Sequence, residues 1–218
     1  MCGRYYFFTP ADIVAERFRV VGVPLLTPRY NVAPQQEAPV IVAGGGRRLE
    51  MMTWGLVPSW SKDPSAGHKM INARAETAPV KPSFRGPFRK QRALIPADGF
   101  YEWKREGTRR RPFAIRLAAR TPFAMAGLWD RWKSPEGREL LTFTILTTSA
   151  NGLVSAVHDR MPVILPTEAE ETWLDPGRSL EGLTALLVPY AGEMEAVPLS
   201  TAVNNPRNEG PELLTPVG

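Results

Sequence analysis

One cysteine and two histidines are all that this 218-residue chain offers of the commonest transition-metal ligands. A single cysteine excludes an intramolecular disulfide. Structural zinc sites usually take four Cys/His ligands, so no metal is expected, and no motif calls for a cofactor. No apolar run approaches the roughly 20 residues of a membrane span. The opening Met-Cys-Gly-Arg-Tyr-Tyr-Phe-Phe lacks the apolar stretch of a signal peptide. The expectation is therefore a cytoplasmic protein with no membrane partner. No internal repeat or low-complexity linker divides the chain, so residues 1–218 read as a single domain working as a monomer.

The composition, 43% hydrophobic and 22% charged, suits a globular protein. The net charge is +5, but it is unevenly spread. Residues 168–218 carry nine acidic and two basic side chains, while segment 85–120 carries eleven Lys/Arg against three Asp/Glu. A polyanion such as nucleic acid is the natural partner of that basic field; a solvated basic face is the plainer reading.

The 22 prolines and 18 glycines are scattered, as many short strands joined by turns require. Thr9-Pro10-Ala11-Asp12 predicts an N-cap with proline at the first helical position, opening a helix over 10–19. Residues 38–43 and 47–57 flank Gly44-Gly45-Gly46 and predict a hairpin. Further strands are expected at 92–96, 99–104, 111–117, 123–130 and 140–148. Asn151–Val157 suits a short helix delivering His158. Thr167-x-x-Glu170 reads as a capping box before a helix ending near Leu174, and Ser179–Leu187 as another helix. Strands dominate, so the expected fold class is α+β, with a mixed or barrel-like sheet and peripheral short helices.

The lone cysteine stands at position 2. Removal of Met1, whose bond to a residue as small as cysteine an aminopeptidase accepts, makes Cys2 a 1,2-aminothiol. The amine has a reference pKa of about 7.7–8.0 and the thiol about 8.5, so each is partly nucleophilic near neutrality. Such a pair attacks one aldehyde twice, through nitrogen and then sulfur, and closes a thiazolidine.

Four other clusters could carry chemistry, and each has a plainer reading. Trp54-Gly-Leu-Val-Pro-Ser-Trp60 is either an aromatic ledge for a nucleobase or core packing. In an extended Ile71-Asn-Ala-Arg-Ala-Glu76, residues Asn72, Arg74 and Glu76 share one face, as a polar pocket or as an exposed face with an Arg–Glu pair. Glu102, between Tyr101 and Trp103, is either a desolvated carboxyl suited to proton transfer or a solvent-facing strand residue. In His158-Asp-Arg-Met-Pro162, His158 moves protons and Arg160 binds phosphate, or the histidine is structural.

Taken in order, Met1-Cys-Gly-Arg-Tyr5, Arg29-Tyr-Asn-Val-Ala-Pro34, Trp54–Trp60, Asn72-Ala-Arg-Ala-Glu-Thr77, Arg92–Trp103, Ala126-Gly-Leu-Trp129, Thr147-Thr-Ser-Ala-Asn151, His158–Pro162, Val203-Asn204 and Asn208 span nearly the whole chain. In this pattern the chain resembles the SOS response-associated peptidase (SRAP) family, which shields abasic sites in single-stranded DNA. The resemblance implies the SRAP fold, and a Cys2 that forms a thiazolidine with the ring-opened aldehyde of an abasic site. It carries over Asn72 to orient the Cys2 amine, Glu102 to shuttle protons and His158 to protonate the departing sugar oxygen, with the last two roles exchangeable. It further implies that Arg4, Arg74 and Arg160 hold phosphates and that Pro34, Trp54 and Thr147 line the path of the DNA. The implied partner is abasic single-stranded DNA, met at the nucleoid if the source is a bacterium.

Three alternatives compete. One is an N-terminal-nucleophile hydrolase of the glutamine amidotransferase kind, which also begins Met-Cys-Gly. Its Arg-Gly-Pro-Asp type motif is missing here, since Arg85-Gly-Pro87 runs into Phe88. The second is a cysteine peptidase, which includes one that acts on its own Met1 alone. The third is a non-enzymatic single-strand binder using the basic face.

Overall fold

A computed structural model describes residues 2–217. Its strands are β1 (Tyr5–Phe7), β2 (Arg29–Val32), β3 (Glu37–Ala43), β4 (Arg47–Trp54), β5 (Asn72–Arg74), β6 (Arg92–Ala97), β7 (Gly99–Glu106), β8 (Arg109–Leu117), β9 (Phe123–Lys133), β10 (Glu139–Ser149), β11 (Arg160–Pro162), β12 (Ile164–Leu165) and β13 (Met194–Pro198). The helices are short: α1 (Ala11–Phe18), α2 (Pro82–Lys90), α3 (Glu170–Leu174) and α4 (Leu180–Thr184). The class is α+β, as the alternation of short strands and turns predicts.

Five strands close on themselves. β10 pairs with β4, β4 with β3, β3 with β6, β6 with β9, and β9 returns to β10. Only the β10–β4 contact is parallel, so this is a mixed barrel, and closure leaves it without a free edge. β5 and β11 extend β10, and β12 extends β9. A second sheet runs in the order β13-β8-β7-β1-β2. Ile41, Leu94, Ile95, Met125, Phe143 and Ile145 are fully buried in the core shared by these strands.

The expected hairpin is β3–β4, turning through Gly44–Gly46 with Gly45 at φ +66° and Gly46 at +124°, values glycine adopts without strain. Gly55, at φ +131°, ends β4 for a second reason: a side chain there would strike the Gly67 carbonyl oxygen at 2.5 Å.

Two caps differ from expectation. α1 begins at Ala11 with Pro10 before it, and Thr9 does not cap it. The Thr9 hydroxyl and the Phe8 and Thr9 N–H groups donate instead to the buried Asp98 carboxylate, tying the end of β1 to the β6–β7 corner. Glu170 makes no capping box. It is 1% exposed and bonds Arg17 and Arg47, each at 2.8 Å. In both places a buried carboxylate outcompetes a local cap. Ser179 does cap α4, accepting from Gly182 N–H. The 151–157 segment forms a shorter 3-10 turn, Val154–Ala156, and Asn151 Oδ1 accepts from Val154 N–H. α2 was not expected: Gly86 and Pro87 disguise it, although Pro82 suits a first helical position.

The basic stretch 85–120 does not form one outward field. Arg92 is 4% exposed and donates to the carbonyls of Phe88, Arg89, Trp173 and Asp175, satisfying the ends of α2 and α3. Arg116 is paired with Glu195.

Candidate active site

Cys2 enters three residues before β1 and is fully buried, with Sγ 3.8 Å from the Arg4 carbonyl oxygen. β7 lies beside β1, and Tyr101 N–H donates to Arg4 O at 2.9 Å. This places Glu102, the next residue, close to Cys2; it is 2% exposed. β5 approaches from the barrel. Its first residue, Asn72, donates Nδ2 to the Cys2 carbonyl oxygen at 2.7 Å. The buried Asn72 Oδ1 has no hydrogen-bond partner among the described residues. His158, in the turn before β11, shares a cleft of about 420 Å³ with Glu102, Trp103 and Val157. Residues 2, 72, 102 and 158 thus converge where the five-stranded sheet meets the barrel. Met1, whose removal the aminothiol chemistry needs, lies outside the described residues.

Burial sets the protonation states. It pushes the Cys2 thiol well above its ordinary value, and the nearby Glu102 charge pushes it further, so the resting sulfur is a thiol. Burial also raises the Glu102 carboxyl, opposed in part by the charge of His158. A carboxyl whose pKa is raised holds its proton more readily and is better suited to donate it. His158 Nδ1 has two partners with opposite demands. It accepts from Arg160 N–H at 3.0 Å when unprotonated, and pairs with Asp159 Oδ1 at 2.8 Å when protonated.

The expected DNA-contacting residues divide. Arg4 is half-buried; its Nη1 donates to Asn31 Oδ1 at 2.7 Å and Val203 O at 3.0 Å, and its guanidinium lies 6.0 Å from the Trp103 ring. Arg74 is exposed at the end of β5, and Pro34 is partly exposed in the turn after β2. Trp54 is a correction. It is fully buried between Tyr5 and Phe143, with its indole N–H donated to Ile71 O at 2.8 Å. Stacking on a base is worth about 1–3 kcal/mol, no more than burying the ring, and here the core holds it. Trp60 is the exposed tryptophan of that motif. Thr147 also differs from the expectation: it is fully buried rather than exposed to a DNA path, and its carbonyl oxygen accepts from Arg160 at 2.6 Å. β5 stops at Arg74, so Glu76 does not continue the face of Asn72 and Arg74. Glu76 forms a bidentate pair with Arg160 at 2.6 and 2.9 Å. Arg160 is therefore already held between Glu76 and Thr147.

Asn31 was missed. It is fully buried, accepts from Arg4, and donates to the carbonyls of Val203, Asn205 and Asn208. Asn204 Oδ1 in turn accepts from the Trp103 indole at 2.7 Å. The C-terminal segment thereby braces Arg4 and Trp103 from behind. The available signal was an amide inside the strand-like run Tyr30-Asn-Val. Among the described residues no three His, Cys, Asp or Glu side chains gather as a metal site would require. No helix among them is long and apolar enough to cross a membrane.

A sequence model described as SOS response associated peptidase (SRAP) matches residues 1–206. The chain belongs to this SRAP family. Its relatives include the abasic site processing protein YoqW of Bacillus subtilis (strain 168), 47% identical over 221 residues that cover 98% of this chain and 99% of that one. The abasic site processing protein HMCES of Gallus gallus is 37% identical, over 87% of this chain and 66% of its own length. A crystal structure of a Bacteroides thetaiotaomicron protein matches the SRAP fold seen here with a TM-score of 0.89 and 31% identity, over 99% of this chain and 100% of that one.

Proposed function

We propose that this protein processes abasic sites in single-stranded DNA and does so covalently through Cys2 once Met1 is removed. The observation that carries the reading is the Asn72–Cys2 hydrogen bond beside buried Glu102. It fixes the backbone of the one residue whose nitrogen and sulfur are both needed. The names of the relatives supply the substrate class.

The chemistry balances with these groups alone. The sugar ring of the abasic site opens to an aldehyde, with His158 or Glu102 giving a proton to the ring oxygen. The Cys2 amine adds to the carbonyl carbon, and loss of water leaves an imine. Asn72 Oδ1, which lacks a partner among the described residues, is suited to accept from that amine. The thiol then adds to the imine carbon; its proton passes by way of Glu102 to the imine nitrogen, and the thiazolidine is closed. A thiol held protonated by burial suits this late, internal attack. The absence of a base at the lesion leaves nothing to read there, so contacts in this reading fall on phosphates and affinity declines with salt.

The test is incubation of the Met1-processed protein with a single-stranded oligonucleotide holding one abasic site, resolved on a denaturing gel. A heat-stable shifted band is expected, absent with Cys2→Ala and absent with intact DNA. No band from verified processed protein overturns the reading.

A further inference from the structure

The β7–β8 hairpin carries a charge arrangement that folding alone does not favour. Its register sets Lys104 opposite Arg111 and Arg105 opposite Arg110; only Glu106 and Arg109 form a complementary rung. Like charges placed directly across a hairpin destabilise it. Arg105 and Arg110 are both exposed, and among the described residues neither guanidinium has a hydrogen-bond or ion-pair partner. Arg116 and Arg160, by contrast, are held by Glu195 and Glu76.

The location of this repulsive rung is informative. Trp103 and Arg105 are two apart on β7 and so share a face, and Arg110 stands across from Arg105 on the same face. All three line the cleft that holds Glu102 and His158. The arm turns tightly, through Gly107-Thr108 alone, with Gly107 at φ +62°. Trp103 is pinned by Asn204. Two unpaired guanidiniums thus stand on neighbouring strands at the rim of the reactive cleft.

We propose that Arg105 and Arg110 are a phosphate clamp for the phosphodiester backbone of a single nucleic-acid strand, next to the nucleotide that enters the cleft. The proposal deepens the functional reading above and rests on it for the presence of a strand there. An anionic oxygen between the two side chains removes their repulsion, and each planar guanidinium donates through its fork. The contact is to backbone, so the clamp positions the strand without reading sequence. Because the free hairpin bears the repulsion, binding relieves it.

The experiment measures binding of an unmodified single-stranded oligonucleotide by fluorescence anisotropy across a salt series, using the full chain. Arg105→Ala/Arg110→Ala should raise Kd about tenfold at 0.1 M salt and flatten the log–log salt slope by about 1.4, the value for two single-strand phosphate contacts. Arg105→Lys/Arg110→Lys should keep most of the slope. Lys133→Ala/Arg138→Ala removes the same charge from the β9–β10 hairpin and should leave the slope unchanged. Thermal melting of the alanine pair should match or exceed that of the unaltered protein. A slope and Kd unchanged in the clamp variant overturn the proposal, as does an equal loss in the β9–β10 variant, which would mean a diffuse field. Crosslinking to an abasic oligonucleotide is assayed in parallel. Its failure in the unaltered protein would overturn the functional reading, while the slopes decide the clamp separately.

Discussion

Glu102 and Glu170 are both almost wholly buried, and they are buried for opposite ends. Glu170 sits between the guanidiniums of Arg17 and Arg47 and joins α1, β4 and α3 through two short ion pairs. Glu102 lies near a buried thiol, and burial raises its pKa, which the charge of His158 opposes only in part. A carboxylate between two arginines is fixed in one charge state and serves structure. A carboxyl held beside a thiol and a histidine is placed to exchange its proton, as the proposed chemistry requires.

Three predictions press on this contrast. The largest effect is expected from Glu170→Ala. It leaves Arg17 and Arg47 without their shared partner, which costs about 3 kcal/mol, the low end for a broken buried pair, because both arginines are partly exposed. The melting temperature should fall by roughly 10 °C, with crosslinking retained in the cold. Loss of crosslinking by folded Glu170→Ala protein would dissolve the division of labour.

Glu102→Gln should behave in the reverse way. Crosslinking should slow about a hundredfold, equal to about 2.7 kcal/mol of barrier, with the fold intact. An unchanged rate in a time course would remove Glu102 from proton transfer.

The smallest effect is on stability against pH. The folded protein holds the Glu102 proton more tightly than the unfolded chain does. Its contribution is fully present below the ordinary carboxylate value of about 4.3 and is lost as pH rises through the raised folded value. Asp98 is raised in the same direction, by burial against three hydrogen bonds. Glu102→Gln should therefore flatten the decline in stability above the carboxylate range without abolishing it. Denaturant midpoints measured across that range check this; an unaltered decline would mean that Glu102 titrates normally.

The two carboxylates also show what the sequence makes legible. Short strand-like runs between Gly- and Pro-containing turns identify β3, β4 and β6 to β10, because turn residues are a local signal. Thr167-x-x-Glu170 looks like a capping box, but its glutamate is taken by arginines 153 and 123 residues away. Thr9 is drawn to Asp98 in the same manner. Trp54 looks available to a base, yet its indole N–H finds a carbonyl in the core. Each misreading is a long-range polar bond outcompeting a local motif. The convergence of Cys2, Asn72, Glu102 and His158 was legible from the family resemblance. The bracing of Arg4 by Asn31 was not, because it depends on carbonyls near the C-terminus.

The central claim concerns the nitrogen of Cys2 as much as its sulfur, since Asn72 grips that residue by its backbone. Inserting one alanine between Met1 and Cys2 leaves the thiol in the chain but places the free amine on a different residue. The account predicts that this processed protein forms no heat-stable crosslink to an abasic single strand while still binding intact DNA. A heat-stable crosslink from the insertion variant would contradict it.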